Sequence, residues 1–188
     1  DTRMVSRIRK ERGLSEVVST LILLVVAVLL AAVATYYATN ITLTRTEIEE
    51  IRFSKEHVWV NSTGAVAAFK LQNLGGKDIL VDKFTVRGVE AAWTNVYYYR
   101  VPTGDSITGD MNVTSHDLLT GATVDISNHS YTLAAADVPL ISSGVLLVYV
   151  KSPDNIQVDD IGTTVSMSVF SNNAQYITEC NVESATSQ

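Results

Sequence analysis

The segment Arg12-Gly13-Leu14-Ser15-Glu16 sets a carboxylate at the head of an apolar run, directly after a charged Arg-Gly junction. A carboxylate in that position is costly in lipid or in a helical core unless it is paired. Two partners are available in principle: the N-terminal amides of its own helix, and a positive α-amino group. A cut between Gly13 and Leu14 would create that amine and make Glu16 the third residue of the new chain.

Elsewhere the chemically capable residues form no recognisable constellation. His57, His116 and His129 are widely separated and sit in no metal-ligand spacing. There is no Ser/His/Asp arrangement with a local signature, no phosphate-cradling glycine loop and no HExxH. Asp105, Asp110 and Asn112, or Asp154, Asp159 and Asp160, offer oxygen ligands suited to calcium, but neither set follows the EF-hand spacing. Solvated Asp is common in loops, so no metal, cofactor or catalytic residue is assigned, and the chain is expected not to be an enzyme. Cys180 is the sole cysteine, which excludes an intramolecular disulfide. It reads as a small buried hydrophobe. Asn40, Asn61, Asn112 and Asn128 each open an Asn-x-Ser/Thr triplet and are candidate glycosylation sites.

The elements that position these residues start with the apolar run. Val17 to Thr44 carries no charge, and its core, Val17 to Ala34, has no Gly or Pro. As a helix the uncharged run rises about 42 Å at about 1.5 Å per residue, enough to cross a hydrocarbon core of about 30 Å. Tyr36 and Tyr37 stand where an aromatic belt meets the interface, and the basic flank Arg7, Arg9, Lys10 and Arg12 is expected to stay cytoplasmic. A secretory signal peptide has a shorter apolar core, about 7–15 residues, ending at a small-residue cleavage site.

Here the run continues into an amphipathic stretch. Ile41, Ile48 and Ile51 recur at near-helical spacing, and Arg45–Glu49 and Arg52–Glu56 form i,i+4 pairs. One helix is therefore expected over 14–53. Along it, Val17, Val18, Leu21 and Leu24 supply apolar surface, while Ala27, Ala31 and Ala34 supply small residues. Ala27 and Ala31 have the small-xxx-small spacing that lets helices approach closely, so packing against other helices is expected.

After about Phe53 the period becomes alternating. His57–Val60 and Ala65–Leu71 flank the turn Asn61-Ser62-Thr63-Gly64. Asn73-Leu74-Gly75-Gly76-Lys77 turns again into Ile79–Val81 and Phe84–Val86. Val165, Met167 and Val169 alternate with Thr164, Ser166 and Ser168 as a half-buried strand, and Val145–Val150 is a continuous apolar strand suited to a sheet covered on both sides. The fold class is α+β: a long N-terminal hydrophobic helix, then an antiparallel Ig-like β-sandwich head over 54–182 and a polar tail, 183–188. Trp59 and Trp93 are expected in the core. Tyr97-Tyr98-Tyr99-Arg100 reads either as an exposed adhesive patch or as a strand alternating between core and a subunit contact.

Charge is unevenly placed. Residues 1–13 hold Arg3, Arg7, Arg9, Lys10 and Arg12 against Asp1 and Glu11, so the rest of the chain is more acidic than the overall −6. An acidic head argues against nucleic acid, which needs a basic footprint.

The charged leader Arg9-Lys10-Glu11-Arg12-Gly13, then Leu14-Ser15-Glu16-Val17-Val18 and the apolar helix, resembles the archaeal type IV pilin-like proteins, which include adhesive pilins and archaellins and carry a class III signal peptide. The resemblance is specific over residues 9–40 and loose beyond. It implies that a membrane peptidase cuts after Gly13, removing a leader of residues 1–13. It implies that an assembly ATPase with its platform proteins then moves the subunit from the membrane into a filament of copies of itself. In that arrangement the helices form the core and the β-rich heads the sheath, on the cell surface. Three readings of function stand: a pilin for adhesion, an archaellin of a motility filament, and a single-pass membrane-anchored extracellular binding protein.

Overall fold

The computed structural model describes residues 2–153 and 155–185, with side chains described for 13–43, 48–153 and 155–185. The charged side chains of the leader, Arg45, Asp154 and residues 186–188 of the expected tail lie outside the described residues. The chain divides into two compact units, one ending at Thr46 and one starting at Glu47.

The first unit is a single helix, α1 (Thr2–Glu47), into which the backbone of the leader runs without a break. The expectation that this helix reaches Phe53 is overturned: β1 (Ile51–Val60) begins at Ile51. Ile51 and Phe53 alternate with period two and pair with Asn73 and Leu71 of β2 (Ala65–Asn73). Long-range pairing thus overrides a weak helical spacing, and Arg52 and Glu56 lie on a strand, not on one helix face.

The second unit continues with β3 (Ile79–Val86), β4 (Val89–Glu90), β5 (Val96–Val101), β6 (Thr123–Ile126), β7 (His129–Leu133), β8 (Val138–Leu140), β9 (Val145–Lys151), β10 (Thr164–Ser171) and β11 (Gln175–Ser184). The hydrogen-bonded order is β4-β3-β10-β11-β1-β2-β9-β5-β7-β6, with β8 on β3. All pairs are antiparallel except β1–β11, a parallel contact limited to Val58–Val60 against Val182–Ser184. The class is α+β with a mostly antiparallel sheet.

Alternation sorts the side chains into two cores. Val58, Val60, Ala67, Phe69, Leu71, Val96, Leu146, Val148 and Val150 share one core with Val81, Phe84, Val86, Val165, Met167 and Val169 from β3 and β10. The sheet therefore curls so that β3 and β10 cover one face of β1, β2, β9 and β5. The other face buries Trp59, Val66, Ala68, Tyr97, Leu147 and Tyr149 beneath Met111, Leu119 and Tyr131. The strand Val145–Val150 is covered on both sides, as its unbroken apolar run requires. Tyr97 and Tyr99 go to the second core and Tyr98 to the first, so the tyrosine run alternates between two cores and does not form an exposed patch. Trp59 is buried; Trp93 is half-buried against Phe84.

A bulge in β1 decides what faces outward. Ser54 pairs with Lys70 but His57 with Ala68, so β1 has one extra residue there, and Lys55 takes a positive φ of 57°. Before the bulge Ile51 and Phe53 point to the first core; after it Val58 and Val60 do. His57 and Trp59 are thereby turned to the other face.

Candidate functional site

The N-terminal site residues lie on one uninterrupted helix. Gly13–Leu43 is long and apolar enough to cross a membrane, and no side chain in it is buried within the chain. Leu14, Val17, Val18, Leu21 and Leu24 are all exposed, as are Ala27, Ala31, Ala34 and Glu16. Its threonine hydroxyls are satisfied internally: Thr20 donates to the Val17 carbonyl, Thr35 to Ala31, Thr39 to Thr35 and Thr42 to Ala38. Such back-bonding suits surroundings without water, where each unsatisfied polar group costs several kcal/mol. Gly13 is helical with open space around it, since a Cβ there would meet nothing within 4 Å. A glycine inside a helix costs roughly 1 kcal/mol relative to alanine, and no contact among the described residues accounts for it.

The four sequon asparagines occupy different settings. Asn40 is exposed on α1. The half-buried Asn61 closes its turn, its Oδ1 accepting from Thr63 N–H at 2.9 Å, Thr63 Oγ1 at 2.6 Å and Gly64 N–H at 3.0 Å. Asn112 is exposed and donates through Nδ2 to Ser127 Oγ. Asn128 is exposed in the two-residue β6–β7 turn, where Ser127 and Asn128 both have positive φ, 53° and 65°, as a type I′ hairpin requires.

Several titratable residues, the three histidines among them, are engaged in structural contacts. His57 Nε2 contacts Asp110 at 3.0 Å and its Nδ1 lies 3.5 Å from Glu183, while its ring stacks on Trp59 at 5.1 Å. His116 contacts Ser152 Oγ, and His129 stacks on Tyr99 at 4.6 Å. Asp160 meets Arg87 at 3.1 Å and accepts from Gln157 N–H at 2.9 Å; the latter bond and the Arg87 guanidinium, working against desolvation, hold its carboxyl below the ordinary value. Among the described residues no three His, Cys, Asp or Glu side chains gather as a metal-binding set. Cys180 is half-buried against the first core, and burial, then Glu56 and Glu183, push its thiol up to about 11.

The head also holds a feature that no motif announced. Residues 102–122 form a long segment without strands, laid over the outer face of the sheet. Loops of that length without regular structure are uncommon in compact domains and usually functional. This one is firmly tied down. Lys55 Nζ donates to the carbonyls of Thr108 and Gly109, Tyr149 Oη to Asn112 O at 2.9 Å, Tyr97 Oη to Gly121 O at 2.9 Å and Lys151 Nζ to Leu119 O at 2.8 Å. Met111, Thr114 and Leu119 are buried. Between this segment and β5, β7 and β9 lies a half-open cleft of about 420 Å³. Its lining comes from three stretches, 99–112, 127–131 and 147–149, and it includes Asp105, Asp110 and Asn112, which the sequence had offered only as oxygen ligands without a metal-site spacing.

The chain matches no protein-family model, and no curated protein is significantly similar to it.

Proposed function

We propose that this chain is a structural subunit that polymerises through its N-terminal helix into an extracellular archaeal type IV pilus used for adhesion. One observation carries the reading. The helix Gly13–Leu43 is apolar on every side, its threonine hydroxyls are internally bonded, and none of its side chains is buried within the chain. Such a surface must be covered completely, first by lipid and then by other helices. Ala27, Ala31 and Ala34 favour the second cover, because small residues allow close helix approach.

Gly13 adds support. No described residue packs against it, and a peptidase reading the Gly13–Leu14 bond would give a reason for a glycine at this point in a helix. Cleavage would put an α-amino group beside Glu16, available to pair with its carboxylate. The implied partners are copies of the chain, a membrane peptidase and an assembly ATPase with its platform; the implied places are the cytoplasmic membrane and then the cell surface. The curled sheet, with its two inner faces sharing one core, is read as a sandwich-type head forming the sheath, and its sequons as sites where sugars would add solubility. A rotating archaellin filament would use the same parts.

A second reading is favoured by one specific observation. The cleft in the head is what a single-pass anchored binding protein needs, and such a protein would keep its helix in lipid.

The test is the intact mass and N-terminal sequence of protein sheared from native cells. A chain beginning at Leu14 in a sedimentable sheared fraction is the expected result. A chain retaining residues 1–13 and recovered only with membranes would overturn the filament reading in favour of the anchored one.

A further inference from the structure

We propose that the cleft between residues 105–112 and strands β5, β7 and β9 is a binding site for a neutral saccharide. Its volume, about 420 Å³, lies in the range of small-ligand sites. The floor is apolar and aromatic: Met111, Leu147, Tyr131 and Tyr149 are buried beneath it. At its side the half-buried Tyr99 ring stacks on His129, with centroids 4.6 Å apart and planes 26° from parallel. Stacking turns one face of each ring against the other, so the ring surface left for a ligand is an outer face of the pair, which carries negative quadrupole charge. The weakly positive C–H face of a pyranose ring complements such a surface.

The rim supplies the rest of the recognition. Ser106, Thr108 and Ser127 line the cleft, with the exposed Asp105 carboxylate beside them. Hydroxyls donate and accept hydrogen bonds, as every hydroxyl of a sugar does, and a carboxylate accepts them. Burial pushes the Tyr149 phenol up to about 12 and raises that of Tyr131 as well, so both stay uncharged.

Charge narrows the ligand class. No Lys or Arg lines the cleft, whereas Asp105 and Asp110 do, which disfavours an anion. A cation would need unbalanced negative charge. Asp110, however, is bound to His57 and lies near Lys55, leaving Asp105 as the one lining carboxylate without such a basic neighbour in contact. The wall is also preformed. Its ties to Lys55, His57 and Tyr149 mean that little ordering entropy is lost when a ligand enters. None of this depends on whether the helix ends in lipid or in a filament.

The test titrates the full chain, held in micelles of a detergent without a sugar headgroup, with methyl α-mannoside, lactose and maltotriose. Calorimetry and amide chemical shifts give the readout. Saturable binding of at least one of these is expected, weakened tenfold or more both by Tyr99→Leu, which keeps an apolar side chain and removes the ring, and by Asp105→Ala on the exposed rim. A Glu90→Ala control on β4 should bind as the parent does. The proposal is overturned if none of the three sugars binds saturably, or if binding survives either substitution. Tighter binding of tetramethylammonium or of sialyllactose than of every neutral sugar would overturn it too. A chain that binds sugar yet never forms filaments would sink the filament reading alone.

Discussion

The Nε2 of His57 lies 3.0 Å from both carboxylate oxygens of Asp110, a residue 53 positions further along the chain. The bulge at Lys55 makes the contact possible by turning His57 to the outer face of the sheet. The pair then joins β1 to the wall of the cleft. Burial pushes the Asp110 carboxyl up, but hydrogen bonds from His57 and the Met111 N–H, with the charges of His57 and Lys55, outweigh it and hold the group below its ordinary value of 3.8.

Asp110→Ala should therefore loosen the wall more than it destabilises the head. Asp110 is exposed and His57 half-buried at the surface, so the stability lost should be no more than about 1 kcal/mol. Hydrogen exchange across 105–112 should rise clearly, with β2 and β9 unchanged. The pH dependence has a definite sign. A lowered carboxyl contributes stability that is fully present above about 3.8 and disappears as pH falls through the lower folded value. The part of the wall's protection against exchange that this carboxylate supplies should therefore fall in that acid range. Equal exchange in the two proteins at pH 7 would show that the His57–Asp110 contact does not hold the wall.

Gly75→Ala should be severe. A Cβ at Gly75 would come within 2.1 Å of the Ile48 carbonyl oxygen and 3.1 Å of the Glu50 nitrogen, both backbone atoms. The turn cannot shift easily, because buried Asn73 holds it: its Nδ2 donates to Lys77 O at 2.7 Å and to Leu140 O at 3.2 Å, and its Oδ1 accepts from Gly75 N–H at 3.0 Å. A loss of about 3 kcal/mol is expected, of the size seen when a packed site is overfilled. Thermal unfolding of the head should show it. A melting temperature within about a degree of the parent would mean that the turn relaxes.

These two sites mark what could be read from residues alone. The apolar helix, the strand Val145–Val150 and the turn Asn61–Gly64 were legible because their signals are local: a long uncharged run, a continuous apolar stretch, and turn-forming residues between alternating ones. The end of the helix was not. Ile48 and Ile51 fit a helical spacing, and only pairing of Ile51 and Phe53 with β2 shows which period wins. The bulge at Lys55 reverses which residues face in, and nothing in Ser54-Lys55-Glu56-His57 signals it. The cleft was invisible for a further reason. The stretch Tyr99–Asn112 meets Ser127–Tyr131 and Leu147–Tyr149 only through the sheet order β9-β5-β7.

Cys180 should be poorly reactive in the folded head. Burial raises its thiol from 9.0 to about 11, so little thiolate exists at pH 8. Iodoacetamide should modify it slowly at pH 8 in the native protein and much faster after unfolding. The stability sign follows from the same shift. Between pH 9 and 11 the unfolded thiol ionises while the folded one does not, so this contribution is intact below 9 and declines as pH rises through that window. Equal alkylation rates for native and unfolded protein would rule out the buried, neutral thiol.

Ala31→Phe separates the two possible covers of the helix. Phenylalanine is apolar, so the substituted helix should insert into a membrane as well as the parent does. Ala31 sits one turn from Ala27, and a close helix approach at these small residues cannot admit a ring. If the helices pack there, filament yield should fall sharply or the filament's helical rise and twist should change, while the amount of protein in membranes stays constant. Electron micrographs of sheared material, compared with immunoblots of membranes, give both quantities. Filaments of unaltered geometry at normal yield would place Ala31 away from any helix contact. A helix that lipid alone surrounds would leave the anchored protein's membrane level and saccharide binding unchanged by the substitution.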